Sequence, residues 1–331
     1  MLFITTTSNS DFLKFFYAKK AYLDESVFFY CDTDKEVANQ ITLNSNIRFR
    51  KLVNIWKLAR HHKGRSICFE NADYAFLLLG VIARIYSSSV IYTIHDQIPH
   101  PGKKYLFVYL YNVLACILAN RVIIFSTPRG IFKNIPKKLV KLKLGGYEFT
   151  SGASSKKKFE YDKTLSNYDY IIFFGRGEPY KGIEKLPIIM ERLQERMGSQ
   201  CPKLIIVGRG VQNFLDDEAR FTVISEYVDD ATLEKLVSRA RCTVMPYTSS
   251  TQSGVLLQSL AWGTPCVASD LPGFREYKND FTFLCDQNNF DDFASYIEFC
   301  CEQNSLLKLK AKRFYAATYS AKIYAEQYRL L

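Results

Sequence analysis

Short uninterrupted runs of Val, Ile, Leu, Phe and Tyr recur along the chain, separated by longer segments whose apolar positions fall three and four apart. Runs of the first kind predict strands covered on both faces, and the second spacing predicts helices with one buried side. A first series lies at MLFITTT (1–7), VFFYC (27–31), SICFE (66–70), SVIYTIHD (89–96) and RVIIFST (121–127), closing near LVKLKLGG (139–146). A second series lies at YDYIIFFG (168–175), KLIIVG (203–208), RFTVIS (220–225), RCTVMP (241–246), PCVAS (265–269) and FTFLC (281–285). Strands alternating with helices predict parallel sheets with helices on both faces. Two series in 331 residues predict two α/β domains, residues 1–150 and 167–312. Between them the polar stretch 151–166, with its small residues and Lys triplet, reads as a linker. The run YLFVYLYNVLACILA (105–119) is shorter than the roughly 20 residues a membrane span needs and contains Asn112, so it predicts a buried helix.

Charge separates the two halves. The net charge is +11, yet residues 1–150 hold 21 Lys and Arg against 10 Asp and Glu, while the remainder holds 23 against 23. A basic first half points to an anionic partner: nucleic acid, a membrane surface or a phosphorylated substrate. In RFRKLVNIWKLARHHKGR (48–65), Leu52, Ile55, Trp56 and Leu58 stand among many cations. That pattern suits a basic amphipathic helix on an anionic membrane, the plainer reading being a solvated helix with one buried face. No zinc spacing or RNA-binding signature accompanies the charge, which argues against nucleic acid. Nine cysteines without a CxxC spacing fit neither a disulfide framework nor a zinc site, so a reducing cytoplasm is expected. The start, MLFITTTSNS, lacks the basic region and cleavage signal of an exported chain and reads as a first strand.

In parallel sheets ligands bind where strands end and helices begin, because helix N-termini present free N–H groups and partial positive charge. FFGRGEPYKG (173–182) is such a place, setting Arg176 and Lys181 among Gly175, Gly177 and Pro179 before the helical stretch GIEKLPIIMERLQERM. A diphosphate suits that loop; a pair of solvated loop charges is the alternative. The third glycine of a dinucleotide fingerprint is replaced by Tyr180, GRGVQN (208–213) fails in the same way, and no Walker sequence is present. A third loop, PYTSSTQSGVLLQSLAWGTPCVAS (246–269), predicts a helix from about Gln252 with Ser250 or Thr251 as N-cap, its amides offering a cradle for anionic oxygens. DTD (32–34) matches a metal-binding tripeptide, but it lies early in the chain and far from the phosphate loops, so a solvated turn is the plainer reading and no metal is expected.

Taken together, GRGEPYKG, IIVGRG, EYVDDATLEKLVSRARCTVMPY and TQSGVLLQSLAWGTPCVASDLPGFRE resemble family 4 glycosyltransferases of the GT-B fold. The likeness covers about 168–276; the first half resembles the family through strand order and YTIHDQIPHPGK (92–103). It implies two Rossmann-like domains with parallel sheets facing across a cleft, the first binding acceptor and the second a nucleoside-diphosphate sugar, with residues 313–331 a terminal helix crossing back. It also implies retention of anomeric configuration without metal or cofactor, the sugar nucleotide being a substrate. Arg176 and Lys181 match the family's diphosphate-binding pair. Thr251, Gln252, Ser253, Gly254 and Val255 match its phosphate loop, and Gly175, Gly177, Gly208 and Gly210 line the same side. Tyr227 and Val228 lie where the backbone meets the base. Where the family commonly has two acids eight positions apart, this chain has Ser250 and Gln258. His95 and Asp96 resemble the acceptor-side His-Asp motif, a structural histidine and a capping Asp being the alternatives.

These expectations describe a cytoplasmic sugar transferase, peripherally bound at the inner face of the membrane, that uses a UDP- or GDP-linked donor to extend a glycan or lipid-diphosphate-linked acceptor in bacterial surface polysaccharide (O-antigen or capsule) assembly. The other reading is a non-catalytic sugar-nucleotide-binding partner that has lost the two acids.

Overall fold

The computed structural model describes residues 1–5, 15, 17–23, 26–30, 56–57, 60–61, 63–86, 89–95, 97–98, 105–147, 168–215, 221–226, 228–250 and 253–331. The chain divides into two compact units: Met1–Gly146 with Ala321–Leu331, and Tyr147–Ser320.

The first unit is built on a parallel sheet in the order β2-β1-β3-β4-β5-β6. Its strands are β1 (Leu2–Thr5), β2 (Val27–Tyr30), β3 (Ile67–Phe69), β4 (Val90–Ile94), β5 (Arg121–Ile124) and β6 (Leu139–Lys141). Every residue of β4 is buried, as its uninterrupted apolar run requires. Helices α1 (Tyr74–Tyr86) and α2 (Tyr105–Leu118) connect β3 to β4 and β4 to β5, and both pack over a core that includes Phe69, Tyr92, Tyr111 and Ile124. Gly80 lets α1 approach the sheet, since a Cβ there would strike the Tyr92 hydroxyl, which donates to Phe76 O at 2.7 Å. The run 105–119 does form a helix, but its burial is one-sided. Tyr111, Asn112 and Ala115 face the core, whereas Leu106 and Ile117 stay 66% and 61% exposed. Among the described residues no helix is long and apolar enough to cross a membrane.

The tail of the chain completes this unit. Helix α7 (Asn304–Thr318) ends before Tyr319, and a separate helix α8 (Ala321–Glu326) follows, so the helical pattern of the terminal segment is broken at Tyr319–Ser320. Gln327 exchanges two bonds with the Lys143 backbone, 2.7 and 3.0 Å, and Arg121 donates to Leu331 O at 3.1 Å. Beneath the tail, the fully buried Lys19 is ion-paired with Glu70, its ammonium over the rings of Phe3, Tyr324 and Tyr328 at 5.0, 5.5 and 4.6 Å. Cys68 Sγ donates to the other Glu70 oxygen at 3.3 Å. The cage thus ties residues near both chain ends to β3.

The second unit has its own parallel sheet, β12-β11-β10-β7-β8-β9. The strands are β7 (Tyr170–Phe174), β8 (Lys203–Val207), β9 (Thr222–Ile224), β10 (Thr243–Met245), β11 (Cys266–Ser269) and β12 (Thr282–Cys285). Helices α3 (Leu186–Met197), α4 (Asp230–Arg239) and α5 (Gly254–Ala261) lie in crossovers between strands, and α6 (Phe290–Glu302) and α7 follow β12. The order reverses between β7 and β10, which places a topological switch point at their carboxyl ends. Helix α3 begins at Leu186, not at Gly182 as the sequence pattern suggests; two 3-10 turns, Pro179–Lys181 and Ile183–Lys185, come first. Pro187 explains the delay: it lacks the N–H that would bond to Ile183 O in a helix begun earlier, and is tolerated in the first turn.

Substituting Lys19→Met is expected to cost about 3–5 kcal/mol of stability, because it leaves the Glu70 carboxylate buried without its cation. Adding Glu70→Gln should recover most of that loss in urea unfolding. A single variant as stable as wild type would contradict the cage's structural role.

Candidate functional site

Three loops meet at the switch point of the second unit. The first leaves β7 through Gly175, Arg176 and Gly177; the second leaves β8 through Gly208, Arg209 and Gly210. They lie backbone on backbone. Gly177 N donates to Arg209 O at 2.9 Å, a Cβ on Gly177 would collide with Gly210 O, and one on Gly208 would collide with Gly175 O. Gly208 and Gly210 also have φ of +147° and +79°, which side-chain-bearing residues rarely adopt. These glycines therefore do structural work first: they let two strand ends close on each other and bare their backbone.

Lys181 is brought back to this point by the turn that follows. Gly182, at φ +64°, reverses the chain so tightly that a Cβ would collide with Pro246 O at the end of β10. The Lys181 side chain is 5% exposed, lies over the rings of Phe173 and Tyr247 at 5.9 and 5.5 Å, and sets its ammonium against Gly175 where a Cβ would be. That same Cβ position is 3.5 Å from Val255 Cγ2, on the first turn of α5. Gly175 and Lys181, from one loop, thus share a spot with Val255, which is distant in sequence. Arg176 is exposed at the adjoining turn. The β10 loop is tied to the first, with Thr248 N donating to Tyr180 O at 2.8 Å.

Helix α5 supplies the donors. Its N-cap is Ser253, whose hydroxyl accepts from Leu256 N at 3.1 Å, so the helix starts at Gly254 rather than near Gln252, and neither Ser250 nor Thr251 caps it. Ser250 is buried against the turn Leu271–Phe274, where a Cβ on Gly273 would come within 2.7 Å of Ser250 O. Gln258 lies one turn into α5 and is 8% exposed. Val228 packs its side chain on the unit's core. Tyr147, which the sequence pattern assigns to the end of the first domain, belongs to the second unit and sits with its hydroxyl beside Gly254, where a Cβ would come within 2.8 Å. No local sequence signal identifies Tyr147 or Tyr247 as neighbours of this crevice.

In the first unit His95 follows β4 directly. Its ring stacks on Phe15 at 6.0 Å and packs on Phe125 at 5.1 Å, and Nε2 lies 3.2 Å from Glu70 O. Burial lowers its pKa from 6.5 to about 3; the Lys19 charge acts in the same direction and the Glu70 carbonyl bond against it. A carbonyl only accepts, so neutral His95 donates from Nε2 and carries its lone pair on Nδ1. Asp96, Tyr227, Thr251 and Gln252, the DTD turn and most of 48–65 lie outside the described residues. Among the described residues no cluster of His, Cys, Asp and Glu could hold a metal ion, and eight cysteines are free thiols.

The depressed His95 pKa has a sign that can be tested. As pH falls through 6.5 the unfolded chain takes up a proton that the folded one refuses until about 3. The stability tied to neutral His95 is therefore full above 6.5 and lost as pH drops toward 3. In urea unfolding, His95→Phe, which keeps the ring stacking, should lose less stability than wild type between about pH 7.5 and about pH 5. Equal losses would show that the imidazole titrates normally in the fold.

Residues 168–303 match the family described as "Glycosyl transferases group 1". An uncharacterized glycosyltransferase of Methanocaldococcus jannaschii is 31% identical over 156 residues, 43% of this chain and 39% of its own. A GDP-mannose:glycolipid 4-beta-D-mannosyltransferase of Xanthomonas campestris is 31% identical over 106 residues, 30% of this chain and 29% of its own. The chain thus spans well under half the length of these relatives. Among solved structures, Anabaena HepE in complex with UDP aligns over 99% of this chain and 98% of its own, at a TM-score of 0.70 and 16% identity. That likeness shows the fold. The chain has the GT-B fold, and its residues 168–303 are similar to the glycosyl transferases group 1 domain.

Proposed function

We propose that the protein is a glycosyltransferase of family 4 type, moving a sugar from a UDP- or GDP-linked donor to a glycan or lipid-linked acceptor. Acceptor assembly in bacterial surface polysaccharide, at the anionic inner face of the membrane, is part of this reading. The observation that carries it is the meeting of Lys181 with Gly175 and the first turn of α5 at the switch point of the second unit. Relatives named for GDP-mannose and glycolipid, and a fold neighbour solved with UDP, support the donor class.

Breaking a sugar–phosphate bond leaves negative charge on the departing diphosphate. A buried ammonium already in position stabilises that charge without reorganising, the more so because the rings of Phe173 and Tyr247 keep water away. Exposed Arg176 adds a second cation, and the amides opening α5 accept the remaining phosphate oxygens. Gln258 stands in for a carboxylate at the ribose, accepting a hydroxyl bond through its amide oxygen without charge assistance. On the acceptor side, this reading assigns the incoming hydroxyl to His95 at the end of β4. The positive charges are fixed in the chain, so the reading needs no metal, and the resemblance to family 4 glycosyltransferases implies products that retain the donor's anomeric configuration.

A thermal-shift screen of nucleotides and their sugars, followed by donor hydrolysis or transfer, tests this reading. Lys181→Met keeps the side-chain volume and should lower turnover about 10²- to 10³-fold; turnover at the wild-type rate would overturn the role of Lys181. Gln258→Glu should tighten donor binding by about three- to ten-fold, as a charged acceptor strengthens the ribose bond. Unchanged or weaker binding would show that Gln258 does not meet the ribose. The missing acids favour a second reading, a binding subunit without catalysis, which nucleotide binding with no turnover across the donor panel would support.

A further inference from the structure

Helices α1 and α2 lie side by side over one face of the first unit's sheet, and each turns an apolar stripe away from it. On α1 the stripe is Leu78, Val81 and Ile85, the last 72% exposed. On α2 it is Leu106, Tyr109, Leu110, Leu114 and Ile117, at intervals of three and four residues. Core packing does not explain these residues, because the opposite faces already fill the core with Phe76, Leu79, Ala83, Tyr111 and Ala115. A helix that is apolar all round is buried on both sides, and the described residues of the chain cover only one side here.

The charge around the stripes indicates what covers the other. Exposed Arg84 lies beside Ile85, and the bond from Gly64 N to Tyr86 O, 2.8 Å, brings exposed Lys63 and Arg65 to the end of α1. At the end of α2, Lys138 donates to Cys116 O and Ile117 O at 2.9 and 3.3 Å, with exposed Lys133 and Lys137 nearby in sequence. Across residues 63–147 the sequence has 12 Lys and Arg against three Asp and Glu. A second copy docked symmetrically on this face would set those cations against one another. Protein interfaces favour aromatic residues, Met and Arg, whereas these stripes are mainly Leu, Ile and Val rimmed by cations, the arrangement of a surface that enters the headgroup region of a bilayer.

We propose that the outward faces of α1 and α2 form the surface by which the protein docks on an anionic lipid bilayer, the aliphatic stripes entering the interface and the cations at the helix ends meeting lipid headgroups. The proposal deepens the membrane part of the proposed function and rests on it. It places the contact on a folded helix pair rather than on the basic stretch 48–65.

The test is sedimentation of the full chain with phosphatidylcholine vesicles, with and without phosphatidylglycerol. Wild type should bind the anionic vesicles and lose binding in high salt. The triple variant Ile85→Ser, Leu110→Ser and Ile117→Ser should partition at least about ten-fold less, with an unchanged urea unfolding curve because all three positions are exposed. As an independent readout, Leu110→Trp fluorescence should be quenched by brominated lipid. Wild type left in the supernatant, a triple variant that binds like wild type, or a Trp unaffected by brominated lipid would each overturn the proposal. So would a wild-type dimer that the triple variant turns into a monomer, since the face would then belong to a second copy. Nucleotide thermal shifts on the same proteins keep the two readings apart. A triple variant that loses vesicles but keeps its nucleotide shift bears on this face alone, whereas a wild type with no nucleotide shift counts against the transferase and leaves the vesicle result standing.

Discussion

An ammonium group taken out of water is held only where its surroundings compensate it, and the position of Lys181 depends on that constraint. Its charge rests over two aromatic faces and against a backbone that has no side chain, at Gly175. Each neighbouring feature serves this placement. Gly182 makes the return turn, Pro179 opens the first short turn and Pro187 sets where α3 begins, and the β7 and β8 ends close through glycines that admit no Cβ. The result is a positive point beside a helix N-terminus, which is the electrostatic requirement for stabilising a leaving diphosphate.

The first unit solves a different problem with the same material. Lys19 is also a buried cation over aromatic rings, and it is ion-paired with Glu70 within the fold. Its charge still acts on His95, where it reinforces the effect of burial and keeps the imidazole neutral. One buried lysine, paired with Glu70, organises a structural cage, and the other stands beside Gly175 and the first turn of α5 at the candidate reaction centre.

Much of this was legible in the sequence. The strands all fall within the apolar runs, because residues buried on both sheet faces leave an uninterrupted pattern that needs no tertiary knowledge. The Gly-rich loop after β7 was likewise readable, since glycine and proline act locally. What was not readable depends on contacts distant in sequence. Nothing near Lys19 indicates Glu70, 51 positions away, and nothing in residue 147 indicates that its hydroxyl will lie beside Gly254. The cap of α5 was misplaced because Ser250, Thr251 and Ser253 are all good caps, and the hydroxyl that bonds Leu256 N decides among them. The run 105–119 predicts a buried helix, and the outward stripe it carries is not legible because apolarity alone does not tell a core face from an outward one.

The most direct test of the account is a crystal structure with a bound sugar nucleotide or its unreactive analogue. The diphosphate is expected within hydrogen-bonding distance, ~3 Å, of Lys181 Nζ and of the amides that open α5. A diphosphate held elsewhere in the second unit, with Lys181 still packed between Phe173 and Tyr247 and touching no phosphate oxygen, would contradict it.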